Sequence, residues 1–140
     1  MHRHGYVGLN AGLCVLNELC EHFWERLYPE IGDGEDYESR AAPLVWINEK
    51  LFLLLKMIEI TSPESDNTFP YNYADWESAA HLEKLAFKNE SVLARAEEKG
   101  QVTKAKFYGS VLFTPRSFYE EQSRLLNEAR QRLEALEAHW

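Results

Sequence analysis

The sequence lacks the features that mark membrane and secreted proteins. Its longest apolar run, Leu51 to Leu55, is far shorter than the ~20 residues that cross a bilayer, so we expect no direct insertion into a membrane. Residues 1–5 are mostly polar, and no secretory signal is expected there.

A clustered basic surface is also missing. The chain has 23 acidic and 15 basic residues, which give a net charge of −8. Proteins that bind nucleic acids neutralise phosphates with a basic face, but only residues 99–106 are locally basic, with three lysines. Nucleic acid is therefore not expected as a partner.

Cysteine is scarce, with Cys14 and Cys20 six residues apart in a predicted helix. Side chains that meet on a helix are three or four residues apart, so these two cannot easily form a disulfide with each other. We expect two buried free thiols, as in a protein of the reducing cytoplasm.

Apolar residues are plentiful, and they follow helical spacing. Hydrophobic residues make up 45% of the 140 residues and aromatic residues 13%, which favours one folded domain over disorder. No strand-like alternation competes with the helical pattern. We predict an all-α fold, an irregular multi-helix bundle of about five to six helices with a long C-terminal helix.

The first predicted helix runs from about Leu9 to Leu27. Its apolar stripe consists of Leu9, Leu13, Leu16, Cys20, Phe23 and Leu27. Pro29 ends it, and Glu30 to Glu38 form an acidic loop.

The second predicted helix covers roughly Pro43 to Glu59, with the proline in its first turn. Its stripe consists of Leu44, Ile47, Leu51, Leu54, Leu55 and Ile58, which predicts that this helix is the centre of the core. Thr61 to Tyr71 reads as a loop that crosses to the far end of the bundle.

Capping residues divide the second half of the chain into further helices. A third helix begins near Asn72 or Asp75, a fourth spans Glu90 to Lys99 and ends at Gly100, and Thr103 caps a short fifth. Thr114 and Pro115 open the last helix. Its stripe consists of Phe118, Leu125, Leu126, Ala129, Leu133, Leu136 and Trp140.

Catalytic motifs are sparse. Glu18 and His22 are four residues apart on one helical face and could share a metal ion, but zinc sites need at least three protein ligands. Neither serine nor cysteine lies in a catalytic signature, and no glycine-rich loop precedes a helix. We therefore expect no enzymatic activity and no cofactor. A small metal-dependent helical enzyme that uses Glu18 and His22 remains an alternative.

The order of several short motifs resembles the amino-terminal domain of the TssA/ImpA family of bacterial type VI secretion proteins. A Gly-aromatic-x-Gly-Leu step lies at residues 5–9, and a Leu-x-Trp-hydrophobic step at residues 44–47. A polar-aromatic segment at residues 73–79 runs into a helix of small residues. The positions that match the family's pattern and could bind a partner are Gly8, Leu9, Trp24, Leu27, Pro29, Arg40, Leu44, Trp46 and Trp76. We expect Trp24 and Trp46 to be mainly structural, joining the first two helices.

The resemblance implies a cytoplasmic, non-enzymatic assembly factor. Its protein partners would be the baseplate, tube and sheath of the secretion apparatus. A generic helical adaptor unrelated to secretion remains a second alternative.

Two parts of the family's architecture have no counterpart in the sequence. Family members usually have helices before the Gly-aromatic-x-Gly-Leu step, and their carboxy-terminal domains form rings. We therefore expect residues 1–140 to be a single helical domain, a fragment of a longer TssA-like protein. If upstream helices normally cover the first helix, their loss exposes apolar surface, which predicts a homodimer that covers this face.

Overall fold

The computed structural model describes residues 4–26 and 37–138, apart from the side chains of Glu25, Tyr37, Ser39 and Arg40. The described residues form six α-helices and no strand: α1 (Gly5–Glu18), α2 (Tyr37–Lys56), α3 (Tyr73–Lys88), α4 (Ser91–Glu98), α5 (Lys104–Phe113) and α6 (Arg116–Glu137). The predicted all-α fold with a long C-terminal helix is confirmed, since α6 has 22 residues.

The chain divides into two compact units. The first contains Met1–Leu55 and Arg124–Trp140, and the second contains Lys56–Ser123.

The core of the first unit lies where α1 meets the carboxyl half of α6. Tyr6, Leu9 and Leu13 of α1 are buried, as are Leu125 and Ala129 of α6. Together they form the apolar centre of this unit.

Two asparagines set the register between these helices. Asn10 Nδ2 donates to the Leu125 carbonyl at 2.9 Å, and Asn17 Nδ2 donates to the Arg132 carbonyl at 2.9 Å. Both bonds span 115 residues, so α1 and this part of α6 run parallel. Asn10 also donates to the Tyr6 carbonyl at 3.1 Å.

The first helix differs from its prediction at both ends. It begins at Gly5 rather than Leu9, and beyond Glu18 it continues as a π-helical turn (Leu19–Phe23) and a 3-10 turn (Trp24–Arg26). A π turn has i→i+5 bonds and so takes one more residue than an α turn, which rotates the following side chains off the stripe. Phe23, predicted to be in the stripe, is therefore 49% exposed. Leu27, Pro29 and residues 30–36 of the predicted loop lie outside the described residues.

The prediction for the second helix is wrong in two respects. It begins at Tyr37, so Pro43 lies inside the helix and not in its first turn. The strong helix formers Ala41 and Ala42 support this earlier start. It is not the centre of the core either, because none of its described side chains is fully buried.

The second unit has its own core, formed where α3 packs against α4 and α5. Its buried apolar side chains are Ile58, Ala79, Leu82, Ala96 and Phe107. Polar atoms are buried here as well: Thr61, Ser110 and Thr114 are at most 6% exposed.

Three of the predicted helix boundaries in this unit are confirmed. Asn72 and Asp75 form a reciprocal capping box at the start of α3, each side chain accepting from the other's backbone N–H at 2.9 Å. Thr103 caps α5 by accepting the Lys106 N–H at 3.3 Å. Gly100 follows α4 with a φ of +70°, the left-handed conformation that favours glycine.

The connection between α2 and α3 is a loop, as predicted, but it does not cross to a far end. The Ile60 N–H donates to the Tyr71 carbonyl at 2.9 Å, so the two ends of the loop meet. Thr114, predicted to cap the last helix, instead accepts the Ser62 N–H at 3.0 Å and donates to the Ser110 carbonyl at 2.7 Å. Its hydroxyl is therefore used to hold this loop against α5.

Candidate functional site

An open and almost wholly apolar groove lies between α1 and α2 of the first unit, and we call it the α1–α2 groove. It has a volume of about 490 Å³. Its α1 wall consists of Leu9, Gly12, Leu13, Val15 and Leu16, and its α2 wall of Trp46, Ile47, Lys50, Leu51 and Leu54.

Several side chains that line this groove are exposed to solvent. Trp46 is 60% exposed, Val15 58% and Leu54 43%. A contiguous apolar patch that is left open commonly marks an interaction site. The chemistry available here is burial and shape complementarity.

A second groove lies on the other flank of α2. It has a volume of about 350 Å³ and is lined by α1, α2 and the end of α6. Leu44 and Val45 face Leu133 and Leu136 across it, while Leu13 borders both grooves. Open apolar space on both sides explains why α2 has no fully buried side chain among its described residues.

A polar groove lies between α1 and α6. Its volume is about 360 Å³, and its lining includes Asn17, Glu18 and Arg132. Asn17 Oδ1 and Arg132 Nε are buried there without a hydrogen-bond partner among the described residues.

The possible metal ligands of the first helix do not converge with others. His22 Nε2 lies 3.5 Å from Glu18 Oε2, and both side chains are more than half exposed. Across residues 4–26 and 37–138, no three histidine, cysteine, aspartate or glutamate side chains come together in a way that could hold a metal ion. The pair is thus an ordinary i,i+4 contact on a solvated helix face.

The cysteines are free, as predicted, but half-buried rather than buried. Burial raises the pKa of the Cys20 thiol. A raised pKa lowers the fraction of the reactive thiolate at neutral pH, so Cys20 is poorly suited to act as a nucleophile.

The structure places the family-matched residues in different surroundings. Leu9 is buried in the core and Trp46 is exposed, and both line the α1–α2 groove, whereas Leu44 lines the other groove. Trp46 does lie between the first two helices, but the open side of the groove leaves its indole largely in solvent, so whether its role is mainly structural stays a prediction.

The other family-matched residues that the structure describes are not part of the groove's lining. Gly8 and Trp24 are half-buried on α1 and the 3-10 turn. Trp76 belongs to the second unit, where it stacks on Tyr73 with ring centroids 5.9 Å apart. Leu27, Pro29 and the side chain of Arg40 lie outside the described residues.

Three residues of the groove were missed by sequence reasoning: Gly12, Val15 and Lys50. Gly12 is unusual because glycine disfavours a helix interior, so its place beside an apolar stripe was an available signal. Lys50 lies one helical turn from both Trp46 and Leu54, and periodicity alone does not show that it borders a groove.

Among the described helices, none is both long enough and apolar enough to span a membrane. The described residues thus form an all-α structure with an open apolar groove between α1 and α2.

Comparison with known proteins gives this domain a family context. Residues 1–49 match the family model of the ImpA N-terminal region of the type VI secretion system. The chain also resembles a solved structure, the N-terminal domain, including the conserved ImpA_N region, of the TssA component of the type VI secretion system from Burkholderia cenocepacia. The TM-score is 0.85 and the sequence identity 25%, over 96% of this chain and 52% of that one. The resemblance to the TssA/ImpA family is confirmed.

The chain spans about half the length of the solved structure that it matches. No curated protein matches the sequence. The family match includes the whole α1 wall of the α1–α2 groove, as well as Trp46 and Ile47 of its α2 wall.

Proposed function

We propose that this chain is a non-enzymatic assembly domain of a bacterial type VI secretion protein, and that it binds protein components of the apparatus through the α1–α2 groove. The observation that carries the proposal is the location of the groove. It is an open apolar surface, and most of it is built from the segment that matches the family.

The physical character of the surface supports a binding role over a catalytic one. A protein interface draws its energy from a few large side chains that become fully desolvated, tryptophan foremost among them. Trp46 is large, 60% exposed and placed beside leucines, so a partner would remove much apolar area from water.

The proposed partners are proteins of the baseplate, tube and sheath. The proposed setting is the bacterial cytoplasm, where these structures assemble. Nucleic acid is not proposed as a partner, because the net charge of −8 opposes the approach of phosphates. That the chain is a domain of a longer TssA-like protein also stays a prediction.

Affinity capture tests the proposal. The chain should retain one or more purified baseplate, tube or sheath proteins, and Trp46→Ala should reduce retention at least about tenfold, since anchor residues contribute ≥ ~2 kcal/mol. Phe87→Ala is a matched control, because Phe87 is an aromatic side chain of the second unit with 95% exposure. Failure to retain any component would contradict the proposal and leave the generic adaptor.

The metal-dependent alternative has a separate test. Elemental analysis of the purified protein is expected to find no stoichiometric metal. If metal is found and is lost in Glu18→Ala or His22→Ala, the enzyme hypothesis is restored.

The homodimer expected from the sequence stays a prediction. A second copy could cover the exposed apolar residues of α1 and α2. Light scattering over a wide range of protein concentration would detect it, and a monomer throughout that range would contradict it.

A further inference from the structure

The α1–α2 groove is open at position 12, where the α1 wall has a glycine and no side chain. A Cβ atom built on Gly12 would meet no heavy atom within 4 Å beyond its own helix and neighbours. Glycine at a helix surface lets another backbone approach closely. The glycine therefore leaves space above α1 that no neighbouring side chain fills.

The walls of the groove present helical ridges. Trp46, Lys50 and Leu54 follow each other at intervals of four residues along α2. Leu9, Gly12 and Leu16 follow each other at intervals of three and four along α1. Ridges of this kind accept the side chains of another helix, and the span from Trp46 to Leu54 is about 12 Å at a rise of 1.5 Å per residue.

One positive charge lies within this apolar lining. Lys50 is the single charged residue of the groove, and among the described residues its ammonium group forms no ion pair. It lies midway between Trp46 and Leu54, so an occupant of the groove would bring its own side chains within reach of the ammonium. A carboxylate at that point would be favoured, and a second ammonium would be repelled.

We propose that the α1–α2 groove binds one amphipathic helix of a partner protein. This helix carries an apolar stripe and an acidic residue opposite Lys50. This inference rests on the proposed function and names the kind of segment that the partner supplies. It corresponds to the helix-in-groove mode, in which apolar anchors recur at i, i+3 or i+4, and i+7.

A second copy of this chain fits the groove less well. In a symmetric dimer whose two-fold axis passes near the middle of the α2 wall, Lys50 of one copy would lie close to Lys50 of the other. A dimer would also bring together two chains that repel each other, because each has a net charge of −8. A partner helix that carries a carboxylate avoids the repulsion between two Lys50 ammonium groups.

The test uses two probe peptides and one charge reversal. The first peptide is a capped helix of about four turns with a leucine stripe flanked by glutamates, and the second replaces each glutamate with lysine. We expect the wild-type chain to bind the glutamate peptide about fivefold more tightly than the lysine peptide, as suits one partly exposed ion pair. Lys50→Glu should reverse this preference, whereas Lys84→Glu, on an exposed residue of α3, should leave it unchanged. The same preference in wild type and Lys50→Glu would overturn the inference.

Closing the groove is a second, independent test. Gly12→Gln introduces a long polar side chain where the Cβ has open space, so the fold should persist while the affinity for the glutamate peptide falls at least about tenfold. Gly109→Gln is the matched control, since position 109 of α5 has the same open surroundings in the second unit. Circular dichroism checks the helix content of both variants. Unchanged affinity in Gly12→Gln, or a wild-type dimer that Gly12→Gln dissociates, would contradict a partner helix in this groove.

The two proposals can fail separately. If a secretion component binds the wild type, Gly12→Gln and Lys50→Glu equally, the groove is not the binding site, and an assembly function would have to use another surface of the chain. If the peptides behave as expected while no secretion component is retained, the assembly function is contradicted, and the groove remains a binding site for a helix.

Discussion

The Thr61 hydroxyl lies 2.7 Å from the Ser110 hydroxyl, and Thr61 donates the proton of this bond. Each hydroxyl has one proton to donate. The Ser110 proton is used at 2.6 Å on the Phe69 carbonyl, so the proton between the two residues must come from Thr61. Thr61 accepts the Tyr71 N–H at 2.8 Å, which leaves both hydroxyls satisfied although they are 1% and 0% exposed.

Ser110→Ala should lower the free energy of unfolding by about 1–3 kcal/mol, because it leaves the Phe69 carbonyl and the Thr61 hydroxyl without this partner. Urea denaturation measures the change. Ser117→Ala, on an exposed serine near the start of α6, is the matched control and should be close to neutral. Equal stability of the two variants would show that the buried hydroxyls do not hold the loop.

Two glycines should respond to alanine with opposite signs. Gly109→Ala should stabilise the chain by about 0.5–1 kcal/mol, because Gly109 lies inside α5 and its added methyl group has open space. Gly100→Ala should destabilise it by about 1–2 kcal/mol, because the φ of +70° is unfavourable for a residue with a Cβ. The same sign in both thermal melts would contradict the assigned backbone conformations.

Removal of Trp46 should cost little stability. With 60% of the side chain exposed, Trp46→Ala should lower the free energy of unfolding by about 1 kcal/mol. Leu13→Ala removes a side chain that is 5% exposed and should cost about 2–5 kcal/mol. If Trp46→Ala lowers the free energy of unfolding as much as Leu13→Ala does, the indole of Trp46 is part of the core.

Stability should fall at alkaline pH, in part through Tyr6. Burial raises the pKa of the Tyr6 phenol above its ordinary value of 10.0. The folded state therefore holds the proton more tightly than the unfolded state, so this contribution is complete below pH 10.0 and is lost as pH rises through the folded pKa.

Tyr6→Phe should thus give a shallower loss of stability above pH 10.0 in denaturation curves taken at several pH values. Phe113→Leu, which changes an exposed side chain of α5 that has no ionisable group, is the control and should follow the wild type. If Tyr6→Phe also follows the wild type, the phenol does not contribute to the alkaline transition.

The sequence was sufficient where local chemistry decides the structure. Asn72 with Asp75, Thr103 and Gly100 mark helix ends through bonds that span a few residues, and all were predicted correctly. The all-α class likewise follows from the periodicity of apolar residues along most of the chain.

The sequence was insufficient where packing decides. The apolar stripe of α2 predicted a central helix, but periodicity shows which face of a helix is apolar and not what covers that face. The π turn at Leu19–Phe23 has no sequence signature, yet it rotates Phe23 away from the stripe of Leu9 and Leu13. Because periodicity does not show what covers α2, neither the exposure of Trp46 nor the place of Lys50 in the α1–α2 groove could be predicted.

The bare position at Gly12 has an evolutionary consequence. Any side chain introduced there begins in open space, so single substitutions can reshape the groove without disturbing the packing of Tyr6 or Ala129 in the core. Selection on this surface is thereby separated from selection on the fold. Relatives that have acquired different partners are expected to vary at this position while their core residues stay the same.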